Sequence, residues 1–234
     1  AFKNNNTDTD FILRTGKDDD KYAGMNYFEK YESLTEVDIY TNTVPTEGRT
    51  KSIAPFMDDV PSEVKVYYST MKRHLSAHHD GTETIQGIPT ERYAFRTKEI
   101  TAAVPEFLTF IDGMVWMGPV KDNMPVFLSV PHMHHVASKY TDRITGMDRE
   151  VEYPSHAWIE KTTGAAIQGK RQLQVNTLLN FSRMNYSGFN APQDGGFEMF
   201  VPIFFDIEYG EIDSTVAKRL KKAVVDSVRV RTAI

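Results

Sequence analysis

The feature that most constrains this chain is an alternation of apolar and polar residues with a period of two, recurring in blocks along its 234 residues. It is longest from Ala165 to Leu179, where Leu173, Val175 and Leu179 alternate with Gln172, Gln174 and Asn176. Successive side chains of a strand point to opposite faces, so such a block reads as a strand with one apolar and one polar side. Shorter blocks run from Asp10 to Arg14, Met25 to Tyr31, Val64 to Tyr68, Arg92 to Arg96, Pro125 to Val130, His156 to Glu160 and Met199 to Ile207. Breakers separate them, among them Gly16 to Asp20, Pro45 to Gly48, Pro61, Gly87 to Pro89, Gly118-Pro119 and Asp194 to Gly196. The clearest hairpin joins His156–Glu160 to the strand at Ala165 through Lys161-Thr162-Thr163-Gly164, with Gly164 supplying the positive φ of the turn. The pattern predicts a mainly β chain with short helices, an α+β fold built on an antiparallel sheet or barrel.

One helix is signalled near the end. Asp213 or Ser214 caps it, Val216, Leu220, Ala223 and Val224 fall on one face, and Lys221 and Lys222 sit toward the C-terminal half, where cations favour the helix dipole. Apolar residues at 40% and charged residues at 25% suit a folded chain, and we read residues 1–234 as a single domain. A net charge of −5, from 27 basic and 32 acidic residues, gives no attraction to a phosphate backbone, so nucleic acid is not an expected partner. The absence of cysteine excludes disulfides, thiolate metal sites and cysteine nucleophiles. No run of 18 apolar residues occurs and the start, AFKNNNTDTD, is neither an initiator Met nor a signal peptide, which reads as a fragment or a processed product.

Within Pro125–Asn176 a short apolar strand ends at Pro131-His132, a turn carries Gly146-Met147, and a strand led by His156 turns at Thr163-Gly164 into a long strand with Lys170-Arg171 and Gln174-Val175-Asn176. This order resembles a signature of the class B scavenger receptor family. The likeness extends to Thr15-Gly16-Lys17-Asp18, to Gly87-Ile88-Pro89 with Arg92-Tyr93, and to the Met199–Phe205 strand and Ala217–Leu220 helix. Departures are Met133 where the family has Phe, Glu160-Lys161 in place of an acidic-x-Pro sequence, and no counterpart of the family's disulfides. The resemblance implies a lumenal or extracellular ectodomain of which this chain is the C-terminal half, the N-terminal half and the membrane spans lying in segments outside it. It further implies a β-barrel-like ectodomain enclosing an apolar tunnel, anchored at the cell surface or in the lumen of endosome or lysosome, that takes up lipids or lipoprotein-borne lipid. Two other classes stay open: an adhesion or enzyme-escort receptor with this region as a stalk, and a hydrolase on an unrecognised site.

Strand parity nominates Val126, Leu128 and Val130, then Leu173, Val175 and Leu179, then Val201, Ile203 and Phe205 as tunnel walls, without deciding which parity faces a lumen and which a packed helix. Lys170 and Arg171 either meet a lipid head group or pin strand register as an exposed pair. Phe107, Phe110, Trp116, Phe197, Phe200, Phe204 and Phe205 read first as core and, if a tunnel exists, as its lining. Asn-x-Ser/Thr triplets at Asn5, Asn180 and Asn185 are glycosylation candidates. His132, His134 and His135 are close in sequence, but on a straight strand His135 points away from the other two, so three convergent ligands would need a bend and an acidic partner from elsewhere. His78-His79-Asp80 is a weaker cluster, and His156 reads as organising its turn. No Gly-x-Ser-x-Gly elbow, phosphate loop or HExxH helix occurs. No catalytic residue, metal or cofactor is therefore expected.

Overall fold

The computed structural model describes residues 12–14, 27–30, 36–39, 42–45, 48–49, 60–68, 73–96, 111–118, 124–142, 144–180 and 198–226. Its first strands are β1 (Ile12–Arg14), β2 (Tyr27–Lys30), β3 (Glu36–Ile39), β4 (Asn42–Pro45), β5 (Gly48–Arg49) and β6 (Glu63–Tyr68). Next come β7 (Arg73–Ile85), β8 (Ile88–Phe95), β9 (Val115–Trp116), β10 (Val126–Ser129), β11 (Ser155–Ile159), β12 (Ala166–Asn180) and β13 (Glu198–Glu211), followed by helix α1 (Ser214–Leu220). Eleven strands form one sheet in the order β1-β2-β5-β6-β7-β8-β11-β12-β10-β9, with β13 also on β12, while β3 and β4 pair separately. Every ladder is antiparallel except β5 on β6.

β12 organises the sheet. Along one edge it pairs first with β11, at Ala166–Lys170, and then with β10, at Gln174–Thr177; along the other edge β13 follows it from Gln168 to Asn180. The sheet curls enough for Leu75 of β7 to pack with Val115, Met117, Val126 and Leu128. It does not close. Among the described residues no ladder joins β9 to β1, and strands of two and three residues offer few groups with which to join the ends. Among the described residues the expected barrel is thus a curved open sheet, and they do not by themselves enclose a tunnel.

Eight strands fall where alternation places them; β7 does not announce itself, because His78-His79-Asp80-Gly81 interrupts its pattern. A bulge between His79 and Gly81 absorbs that interruption, while pairing with β6 and β8 holds the strand on both sides. Pro89 lies inside β8 and was expected to break it. It sits opposite Thr84 of β7, before β11 begins pairing at Glu91, so its missing N–H deprives no described ladder bond on that second edge.

Four buried clusters hold the structure. The largest gathers Ile111, Met114, Phe127, Met133, Val136 and Phe200, with Leu178 and Tyr140 against it. A second packs Val64, Ala77, Tyr93 and Ile159, and a third seats Ala217 of α1 on Ile85, Ile88, Trp158 and Ile167. The fourth is the Val115–Met117 group that Leu75 covers. Asp213 caps α1 by accepting from the amides of Thr215 and Val216, as the sequence indicated. The buried face differs from the expected one: Ala217 is 2% exposed and Val216 49% exposed, and the chain continues beyond Leu220 as a π-helical turn over Lys221–Asp226.

Candidate functional site

The registers of β10, β12 and β13 assign each nominated wall residue to a face. Leu128 lies opposite Val175, and Val126 opposite Thr177, so Val126, Leu128, Leu173, Val175 and Leu179 share one side of the sheet and are half-buried. Val201, opposite Thr177 on the other edge, joins them. Val130 is buried just beyond the end of β10. A bulge in β13 breaks the third set: Val175 faces Phe204 while Asn176 faces Pro202, which leaves Ile203 as the extra residue. Phe205 therefore falls opposite Gln174, on the other face from Val201. Phe204 takes the place that strict alternation gives to its neighbours. Nothing in the sequence marks that bulge.

Arg171 stands on the same side as Leu173, with Asp206 at 3.0 Å and Glu208 at 2.6 Å. Two carboxylates thus engage the guanidinium that the sequence offered to a head group, and the trio ends the apolar strip in charge. Lys170 lies on the opposite face, paired with His156 and Tyr209. The expected core role of Phe204 and Phe205 does not hold, since each is 55% exposed, whereas Phe200 is fully buried against Phe127 at 4.8 Å. Phe107, Phe110, Phe197, Asn5 and Asn185 lie outside the described residues; Asn180 ends β12.

The polar parity of β12 proves to be the buried one. Gln172, Gln174 and Asn176 are each under 5% exposed. A buried amide without partners costs about 1–3 kcal/mol, and here every one is used. Gln174 accepts from the backbone N–H of His132 at 2.8 Å and donates to Asn176 Oδ1 at 2.7 Å. Asn176 donates to Ser129 Oγ at 2.9 Å, and Gln172 donates to the carbonyl of Pro154 at 2.9 Å. The Gln-x-Gln-x-Asn pattern therefore supplies hydrogen bonds to the irregular chain on either side of it, at Pro131-His132 and at Pro154.

That irregular chain bends sharply. His132, Met133 and His135 all have positive φ, at 61°, 51° and 67°. His132 turns away from the other two histidines, its Nδ1 accepting from the Asp148 amide at 2.9 Å and its ring stacked on Tyr153 at 5.2 Å. His134 and His135 stand side by side, with ring centroids 4.0 Å apart. On β7 and β8, His79 pairs with Glu91 at 2.7 Å, while Asp80 lies 3.1 Å from Arg92 and 3.4 Å from His156. Burial lowers the pKa of His156, the charge of Arg92 adds to this, and Asp80 opposes both. An open cleft of about 570 Å³ lies at the far end of the β7–β8 hairpin, between Glu83, Glu91, Glu160 and Lys161. It shares no residue with the apolar strip.

The model of the CD36 family matches residues 1–234 of the chain. Lysosome membrane protein 2 of Mus musculus is 23% identical over 245 residues, covering 99% of this chain and 49% of the relative. Lysosome membrane protein 2-C of Dictyostelium discoideum is 24% identical, with 75% of this chain and 23% of the relative covered. Sensory neuron membrane protein 2 of Anopheles gambiae is 25% identical, with 76% and 35% covered. The chain spans about half the length, or less, of these curated relatives. Among the described residues no helix is long and apolar enough to cross a membrane.

Proposed function

Because this chain belongs to the CD36 family, we propose that it is part of a membrane-anchored receptor ectodomain, at the cell surface or in the lysosome, that binds lipids and passes them along an apolar path. The family match over the whole chain is the observation that carries this reading. The strip of Val126, Leu128, Leu173, Val175, Leu179 and Val201 supports it, because these residues are apolar, contiguous on one face and only half-buried by the described chain. Fatty acids, cholesterol esters and phospholipids all present acyl chains, and each methylene transferred from water to such a wall contributes about 0.8 kcal/mol. A dozen methylenes would hold a chain firmly, and movement between similar sites needs neither nucleophile nor cofactor. Arg171, held by Asp206 and Glu208, marks the polar end of the strip.

Leu173→Asp and Val175→Asp test the assignment in the intact receptor. A carboxylate on the strip carries a desolvation cost of several kcal/mol, so co-purified lipid, read by native mass spectrometry, falls about tenfold or more. Variants that are secreted normally yet carry as much lipid as the parent would remove the strip from the path.

A further inference from the structure

We propose that His134, His135 and Glu152 form a binding site for a divalent transition-metal cation such as zinc, on the turn that follows β10. One nitrogen from each imidazole and one oxygen of the carboxylate lie within 4.8 Å of one another, and His135 Nε2 stands 4.0 Å from Glu152 Oε1. Zinc binds such donors at about 2.0–2.2 Å, which sets tetrahedral ligands about 3.4 Å apart. Rotation of partly exposed side chains is enough to close that gap. Two imidazoles and a carboxylate are the donor set of borderline metals; calcium and magnesium take oxygen ligands.

Neighbouring residues seldom converge on a metal, and the backbone explains why these do. Met133 and Val136 are fully buried anchors, and the Val136 N–H donates to the Met133 carbonyl at 3.0 Å. His134 and His135 are the two central residues of the turn so closed. His134 has φ −56° and ψ 139°, and His135 has φ 67°, the beginning of a type II turn whose third position favours glycine or asparagine. The chain places an imidazole there instead, and the turn aims both rings to one side. Gly113 presses on this turn from beneath: a Cβ on it would stand 2.9 Å from the carbonyl carbon of His135.

His134 Nδ1 is shielded from solvent and has no hydrogen-bond partner among the described residues, so no hydrogen bond within them commits that nitrogen elsewhere. Nearby positive charge is engaged elsewhere, since Arg149 donates to the Val136 carbonyl and lies 3.8 Å from Asp142. A cation held here ties the turn after β10 to the segment preceding β11. Three protein ligands leave a fourth position for water or an external donor.

Titration of the untagged intact protein with zinc chloride by calorimetry tests the site. One equivalent binds, and the thermal midpoint rises with zinc. Glu152→Gln and His135→Asn each weaken binding at least about tenfold, and asparagine tolerates the left-handed position, so that variant keeps the metal-free melting curve of the parent. His78→Gln leaves binding unchanged. Absence of binding at millimolar zinc, or equal affinity in the parent and in both ligand variants, overturns the proposal.

Discussion

His156 has a side chain 16% exposed, 3.4 Å from Asp80, with Arg92 and Lys170 acting on it as well. Burial is the largest influence, so the folded chain holds the imidazole neutral more firmly than the unfolded chain does, where its pKa is about 6.5. Around that value the unfolded state binds more protons. The neutral ring is therefore accommodated in full above about pH 6.5, and stability declines as pH falls through 6.5 toward the lowered folded value. Asp80 opposes this shift, and its own exposure to solvent lets it offset the burial only in part. His156→Gln flattens this dependence, so its urea midpoint drops less than the parent's between about pH 7 and about pH 5. An equal drop in both would assign the acid sensitivity to other groups. At this scale the sequence was a partial guide: it read His156 as organising its turn, whereas the ring lies within β11 beside Asp80 and Arg92 of β7 and β8, and Glu160 holds the turn.

Among elements, the β11–β12 turn was the most legible. Gly164 has φ +69°, as its turn requires, and its N–H donates to the Glu160 carbonyl at 2.7 Å. Glu160, read only as a departure from the family pattern, is 3% exposed; its carboxylate accepts from the amides of Thr162 and Thr163 at 2.8 Å each. Gly164→Ala forces a β-carbon into the left-handed region and lowers unfolding stability by about 1–2 kcal/mol, measurable by urea denaturation; an unchanged midpoint would mean that the turn relaxes to another geometry. Strand periodicity was legible wherever a strand ran regularly, as in β10, β11 and β12. It failed at the bulges. The extra residue at Ile203 moves Phe205 to the face opposite Val201, and the irregularity at Asp80 hides β7, because a bulge answers to the partner strand and leaves no mark in local alternation.

For the molecule as a whole, β13 is the exposed margin. Ile203, Phe204, Phe205, Ile207 and Tyr209 are each about half exposed, on both faces of a strand that pairs only with β12 among the described residues. A strand of that kind invites pairing and apolar association. The 234-residue chain expressed by itself is expected to self-associate, and Phe204→Lys with Ile207→Lys shifts it toward monomer in sedimentation while the circular dichroism stays the same. A parent chain that is already monomeric at the same concentration would show that this margin is covered from within.

Local sequence alone determined the regular antiparallel strands, the Gly164 turn, the α1 cap and the family, because each depends on short-range geometry or on the order of local motifs. Tertiary structure decided which side of those strands lies inside. Gln172, Gln174 and Asn176 are buried because the bent chain at His132 and Pro154 needs their hydrogen bonds, while Phe204 and Phe205 stand largely in solvent because the described segments that bury Phe200 at the start of β13 do not cover its middle. Alternation reports that a strand has two different faces; what packs against each face sets its burial, and that is a property of the assembled sheet.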